Sequence, residues 1–328
     1  MNITQAAKLI RKGELVAFPT ETVYGLGADA FNADAVARVY SEKGRPGDNP
    51  LILHIANKTQ FSEIADNPPP YAYELIEAFW PGPLTLVAKK NPLLPTWVGG
   101  HPEKTTATVG IRMPSHPVAL EFIKEAGIVA APSANKSGRP SPTSLAHVLE
   151  DFPDIAALDG GDSYVGLEST VVDITGDDPV ILRPGTITAE KINEFAISTD
   201  RVPQGQPRAP GMKYKHYAPR ADMTLVSGNA PDVAAYIFNE CKKEPHSRVG
   251  VLFRYRIERG THLTPQNAKI LMLGGDDESM ARNLFACLRE FDKIGVDKIY
   301  AETVCEKGIG VAIMDRMRKA AEGRVIHV

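Results

Sequence analysis

The chain lacks what several large function classes require. It has three cysteines in 328 residues, Cys241, Cys287 and Cys305. An odd, scattered set excludes a disulfide framework, and none stands at metal-ligand spacing from another Cys or a His. A reducing, cytoplasmic setting is expected. No apolar run approaches membrane-spanning length, and Met1-Asn2-Ile3-Thr4 opens an amphipathic helix rather than an export signal, so no membrane association is expected. Charge of one sign is missing as well. Lys and Arg total 37 against 40 Asp and Glu, a formal charge of -3, which excludes a protein whose main business is coating nucleic acid. Any RNA contact must be local.

Common catalytic signatures are also missing. There is no G-x-x-x-x-G-K-S/T loop, no H-E-x-x-H, no G-x-S-x-G elbow and no kinase-type set, which removes the usual NTPase, zinc-protease and serine-hydrolase readings. Gly25, Gly27 and Ala30 formally match the dinucleotide-binding pattern G-x-G-x-x-A. A helix should open at those glycines, yet the helical periodicity begins only near Asp34, with Asn32 and Asp34 as caps. The match is rejected. Internal repeats and low-complexity tracts are absent. The eight histidines are scattered; only His54, closing the Leu51-Ile52-Leu53 run, sits where a ligand would be met.

What is present reads as two α/β domains joined by a linker. Residues 1–200 alternate helical patterns with short apolar strands: Leu15 to Phe18, Leu51 to Ile55, Leu84 to Ala88, Thr108 to Arg112 and Thr170 to Ile174. The pattern supports α/β or α+β without fixing the strand order. Residues 201–220 lose apolar periodicity, with Pro203, Pro207, Pro210 and Pro219 breaking any helix and basic groups unopposed by acids. An inert tether is the common fate of such a stretch. Tyr214, Tyr217 and the cations are unusual in a mere spacer, so an active-site lid is the alternative. Residues 221–328 again alternate strands and helices, as in a small Rossmann-like domain without a phosphate-binding glycine fingerprint.

Two polar segments carry the chemistry. Asp34 to Glu42 reads as a helix that Gly44 stops and Pro46 stiffens, so Lys43 and Arg45 leave a rigid end. Together they suit phosphate oxygens and charge developing on a phosphoryl group. A solvated helix terminus is the bland reading. Gly127 to Ala131 reads as a buried strand, with Pro132-Ser133-Ala134-Asn135 leaving its carboxyl end, where open α/β sheets bind ligands. Ordinary turn chemistry is the alternative for that loop. A third segment, Phe18 to Gly27, packs Thr20 and Thr22 into what reads as a glycine-ended loop.

In this order Pro19-Thr20-Glu21-Thr22-Val23-Tyr24-Gly25-Leu26, Lys43-Gly44-Arg45-Pro46, Trp80-Pro81-Gly82-Pro83-Leu84-Thr85, Arg112-Met113-Pro114 and Pro132-Ser133-Ala134-Asn135 resemble the YrdC-like family. So do Glu168-Ser169-Thr170-Val171-Val172-Asp173 and Leu182-Arg183-Pro184-Gly185. Ala209 to Pro219 and Gly308 to Arg316 are similar to the linker and terminal segment of its long form, the threonylcarbamoyl-AMP synthases with an added C-terminal domain. The resemblance implies a twisted mixed sheet followed by the smaller domain. It also implies a nucleotidyltransfer reaction: L-threonine, bicarbonate or CO2, and ATP give L-threonylcarbamoyl-AMP and diphosphate, for threonylcarbamoyladenosine beside the tRNA anticodon.

Residue roles follow motif by motif. Arg112 is expected on the threonine carboxylate, with Thr22, His54, Ser133 and Ser169 around its amine, hydroxyl or nascent carbamate. Lys43, Arg45, Asn49, Thr108, Asn135, Thr143, Arg183 and Tyr217 are expected on ATP, and Lys43 and Arg45 bear transition-state charge. Each has a bland counterpart: Thr108 packing in a strand, Asn49 capping a turn, Tyr217 stiffening the linker. Thr85 is set aside as part of a tight turn and core. Mg²⁺ is expected with ATP, held by phosphate oxygens and water rather than an all-protein cage. Expected partners are the small substrates and a downstream threonylcarbamoyl transferase machinery, with weak or indirect tRNA contact. Two other readings fit the sequence less well. An RNA-binding module without chemistry fits the cations but not the acidic net charge or the gathered hydroxyls. A different carbamoyl adenylate enzyme should carry acylphosphatase and zinc-finger regions ahead of the YrdC-like part.

Overall fold

Short strands whose faces are both apolar must be covered on both sides, and the chain supplies helices for each. The computed structural model describes residues 1–198, 216–255 and 264–328. It divides into two units, one of Met1–Ser137 with Ser141–Tyr214, the other of Gly138–Pro140 with Lys215–Val328.

The first unit holds β1 (Val16–Phe18), β2 (Gly25–Asp29), β3 (Ile52–His54), β4 (Leu84–Lys89), β5 (Thr108–Arg112), β6 (Val129–Ala131), β7 (Ala156–Ala157), β8 (Thr170–Asp173) and β9 (Val180–Arg183). They form one sheet in the order β7-β1-β2-β6-β3-β5-β4-β8-β9. The sheet is mixed, as expected: β3 and β5 run parallel, as do β4 and β8, whereas β4 and β5 are antiparallel. Strand alternation sends Val16 and Phe18 into one core and Ala17 into the other. One core is closed by the helices Ile3–Arg11 and Pro117–Ala126, which pack on each other. The opposite core takes Val36, Val39, Phe61, Leu75 and Trp80 from three further helices and the turn after them.

Local signals explain the helix that delivers Lys43. It spans Ala33–Lys43, Asn32 accepts the Ala35 amide as N-cap, and Gly44 ends it in the left-handed region at φ 61°. Its Ala35, Val36, Val39 and Tyr40 are buried, matching the sequence periodicity. The N-terminal amphipathic helix also forms, over Ile3–Arg11, with Asn2 and Gln5 making a capping box.

Two readings of this unit are corrected. Gly25 to Gly27 begins the strand β2 instead of closing a loop. Glycine is needed there for close approach: a Cβ on Gly27 would stand 2.8 Å from Val129 Cγ1 and 3.1 Å from the Phe18 ring. The strand β6 runs antiparallel to both β2 and β3. The rule that placed a ligand beyond its carboxyl end belongs to open parallel sheets, so it does not apply here.

The second unit holds β10 (Asp222–Ser227), β11 (Val249–Phe253), β12 (Ala268–Met272), β13 (Lys298–Glu302) and β14 (Val325–His327). All pair in parallel, in the order β12-β11-β13-β10-β14. The helices Ala230–Lys243, Asp277–Ile294 and Ile309–Ala320 lead from β10 to β11, from β12 to β13 and from β13 to β14, giving the Rossmann-like alternation the sequence pattern led to expect.

Candidate active site

The segment Thr20 to Tyr24 is the hub of the first unit's polar interior. Its backbone is tied on three sides: Tyr24 N donates to Pro142 O at 2.9 Å, Ala134 N to Tyr24 O at 2.7 Å, and Val165 N to Glu21 O at 2.8 Å. Thr20 Oγ1 reaches Val23 O at 2.6 Å and Thr22 Oγ1 at 2.8 Å, an ST-type turn that fixes the loop without regular structure. Ala134, Pro142 and Val165, distant in sequence, are thereby brought to one place.

Arg112 ends β5 and lies in the middle of this interior. Its Nε donates to Gly82 O at 3.3 Å, its Nη1 to Thr22 Oγ1 at 2.8 Å, and its Nη2 stands 2.6 Å from Glu21 Oε1. The Trp80 to Pro83 turn therefore holds the guanidinium as well as packing in the core. Trp80 itself is buried, donating from Nε1 to Leu84 O at 2.7 Å. Register puts His54 of β3 opposite Arg112, and the adjoining Leu86 and Ile111 pair puts Thr85 of β4 beside it.

Burial pushes the His54 ring down from 6.5 to about 3, and the Arg112 guanidinium adds to the shift. The ring is neutral at physiological pH. Its Nδ1 lies 3.1 Å from Ile52 O. His54 also meets Phe18 edge-on, with centroids 5.6 Å apart.

Ser169 precedes β8 and is gripped from two sides. Arg183 of β9 donates from Nε and Nη2 to Ser169 O at 3.1 and 3.0 Å and from Nη2 to Ser169 Oγ at 3.2 Å. Thr85 Oγ1 lies 2.7 Å from the same hydroxyl oxygen. Gly185 lets the β9 exit lie on this strand: a Cβ there would meet Thr170 N at 2.4 Å.

Lys43 and the Ser133 loop also meet. Lys43 is buried and its Nζ donates to the carbonyls of Ser133 and Asn135, while Ser133 Oγ donates to Asn135 Oδ1 at 2.5 Å. A bridge between Gly25 and Ser133 ties that loop to β2. Arg45 turns toward Asn49 and Pro50, donating from Nε to Asn49 O at 3.0 Å and from Nη2 to Asn49 Oδ1 and Pro50 O, both at 2.7 Å. Asn49 thus braces the turn after the helix.

Other candidates stand apart or bind only locally. Thr108 shares the Arg112 face of β5 but begins the strand, about 13 Å away at 3.3 Å per residue. Thr143 is buried beside His147, with 3.3 Å from Oγ1 to Nδ1, and receives Ser163 N on its carbonyl at 2.8 Å. Tyr217 belongs to the second unit, at φ 64°. Its buried ring packs 5.3 Å from the Phe285 ring and 5.8 Å from the Arg316 guanidinium carbon. Most of the expected lid, residues 201–215, lies outside the described residues.

Two residues were missed as members of this interior. Thr85 was set aside with its turn, although strand alternation would have put it on the Gly110 and Arg112 side. Glu21 sits inside the threonine-rich motif, wholly buried against Arg112; its partner is 91 positions further along the chain, and no local pattern signals that pairing. A cleft of about 750 Å³ lies elsewhere on the first unit, lined by Lys12, Arg38, Glu42, Lys136 and Asp154 among others, and takes none of the candidates. Among the described residues no group of three or more His, Cys, Asp or Glu is placed to hold a metal ion, and no helix is long and apolar enough to cross a membrane.

The chain is similar to known proteins over nearly its whole length. A family profile described as "Telomere recombination", covering the Sua5, YciO and YrdC proteins, matches residues 8–185. A second, "Threonylcarbamoyl-AMP synthase, C-terminal domain", matches residues 187–322. Threonylcarbamoyl-AMP synthase of Pyrococcus abyssi is 46% identical over 98% of this chain and 95% of the relative. That of Bacillus subtilis is 45% identical over 99% and 94%. The crystal structure of P. abyssi Sua5 complexed with L-threonine superposes with a TM-score of 0.89 at 45% identity, covering 99% of this chain and 96% of the other.

Proposed function

Because the chain belongs to the threonylcarbamoyl-AMP synthase family, an enzyme family of adenylate-forming transferases, we propose that it joins L-threonine, bicarbonate or CO2, and ATP into L-threonylcarbamoyl-AMP and diphosphate. The product would feed threonylcarbamoyladenosine formation in tRNA through a separate transferase, in the cytoplasm. One observation carries the reading. Thr22 with Arg112, and Thr85 with Ser169 and Arg183, form two buried hydrogen-bonded groups that the pairing of β4 with β5 sets side by side, in a fold that matches a relative crystallised with L-threonine.

In this reading the threonine carboxylate pairs with Arg112, and the hydroxyls of Thr22 and Ser169 meet its polar groups. Neutral His54 offers no charge to the amine, which must lose its proton to become a carbamate. The carbamate oxygen then attacks the α-phosphorus of ATP and diphosphate leaves. Such a transfer needs no protein nucleophile, since alignment and charge stabilisation supply most of the barrier reduction. Lys43 and Arg45 carry the phosphoryl charge, and Asn49, Thr108, Asn135, Thr143, Arg183 and Tyr217 serve the nucleotide. Tyr217 would act with a linker that closes over the substrates, protecting a labile adenylate from water. Mg²⁺ borne on the triphosphate would neutralise part of its charge, held by phosphate oxygens and water.

The test mixes purified protein with threonine, bicarbonate, ATP and Mg²⁺ and follows diphosphate and the adenylate by mass spectrometry. Both should form without RNA. Absence of both, with folded protein, overturns the reading.

A further inference from the structure

Glu21 is the one acid placed against Arg112 among the described residues, and its environment is unusual. The residue is 0% exposed. Oε1 stands 2.6 Å from Arg112 Nη2, yet neither Glu21 oxygen nor that nitrogen has a hydrogen-bond partner among the described residues. A carboxylate has about four lone-pair sites. Burying one without hydrogen bonds is costly, and a lone ion pair offsets that only in part. The Thr22 hydroxyl beside it is already engaged by Arg112 Nη1 and Thr20 Oγ1.

The charges around Arg112 make an ordered pair. A cation and an anion lie side by side, each with hydrogen-bonding capacity left over; His54, Thr22, Thr85 and Ser169 around them are neutral, and the next cation, Arg183, is engaged on Ser169. An α-amino acid carries the same pair in reverse, an ammonium beside a carboxylate. Resting on the reading that Arg112 takes the threonine carboxylate, we propose that Glu21 is the specificity-determining residue for the substrate's α-ammonium. Its field favours a zwitterion and opposes a plain carboxylic or hydroxy acid. In a buried, low-dielectric setting that field acts over several ångströms, so it holds whether or not the ammonium touches the carboxylate. The selection is electrostatic: a hydroxy acid brings a second negative charge toward Glu21 and nothing to balance it.

The probes are L-threonine and 3-hydroxybutanoate, which is threonine without its amino group, titrated calorimetrically into the full chain. The wild-type protein should prefer threonine by tenfold or more, the order expected when a charged contact is lost. In Glu21→Gln that preference should collapse by at least tenfold, with threonine bound more weakly and 3-hydroxybutanoate unchanged or tighter. Glu21→Asp, which keeps the charge one methylene further back, should hold an intermediate preference. Each preference is a ratio within one protein preparation, so partial loss of folded material cancels. A role confined to holding Arg112 in place would weaken both ligands alike and leave the ratio intact, and that result overturns the proposal. Equal binding of the two ligands by the wild-type protein overturns it without any variant. Failure of the wild-type protein to bind threonine at all would instead remove the functional reading on which the proposal rests.

Discussion

His54 makes the stability of the first unit depend on pH in a direction and by an amount that follow from its burial. In the folded chain its ring takes a proton only near pH 3, whereas the unfolded chain takes one near 6.5. Between those values the unfolded state binds more protons, so stability falls as the pH drops below about 6.5 and regains its full value above it. Each pH unit below 6.5 removes about 1.4 kcal/mol, so His54 accounts for a loss of about 2 kcal/mol between pH 7.5 and pH 5.0. Both tryptophans, Trp80 and Trp97, lie in the first unit. Their fluorescence during urea unfolding therefore reports this unit alone. His54→Gln has no titrating ring, so its loss between the two pH values should be smaller than the wild type's by about 2 kcal/mol. The variant's absolute stability is free to differ, since only the difference between the two slopes matters. Equal pH dependence in both proteins would refute the reasoning, because it would mean that His54 titrates alike in the folded and unfolded chains.

Four further outcomes are expected. Gly185→Ala puts a methyl 2.4 Å from Thr170 N; the backbone shift should lower stability by about 1 to 3 kcal/mol, read by the same urea titration, and weaken threonine binding through Ser169. Thr85→Val keeps the volume and removes the 2.7 Å contact to Ser169, so threonine affinity should fall by about fivefold, corresponding to one lost hydrogen bond of about 1 kcal/mol; unchanged affinity would return Thr85 to a purely packing role. Lys43→Ala or Arg45→Ala should lower turnover by tenfold or more while altering threonine affinity less, since a cation aimed at phosphorus matters most as charge develops; normal adenylate formation in both variants would remove that assignment. In competition assays valine should be rejected more strongly than serine, because valine leaves the groups that meet the hydroxyl unpaired, whereas serine lacks only a methyl.

Much of the local architecture was legible because its causes are local. The cap at Asn32, the apolar spacing of Ala35, Val36, Val39 and Tyr40 and the left-handed Gly44 determine a helix wherever that stretch is placed. The strand β5 occupies the range its residues indicated. β2 was illegible for the opposite reason. Glycine and alanine have weak strand preference, and Gly25 to Asp29 is extended because Phe18 and Val129 need the space that glycine leaves.

The residue types of the candidate site were written in the sequence, through Lys43, Arg45 and Arg112 and the hydroxyls of Thr22, Ser133 and Ser169. Their partners were not. The ion pair of Glu21 with Arg112, the grip of Arg183 on Ser169, and the reach of Lys43 to the Ser133 and Asn135 carbonyls join segments tens of residues apart. The antiparallel course of β6 was equally out of reach, since strand direction depends on which neighbours pair. Hydrophobic periodicity, caps and turns act between residues a few positions apart, so the sequence by itself determines them. Strand order, buried charge pairing and the depressed His54 arise only when distant segments exclude water from one another, and only the tertiary structure decides those.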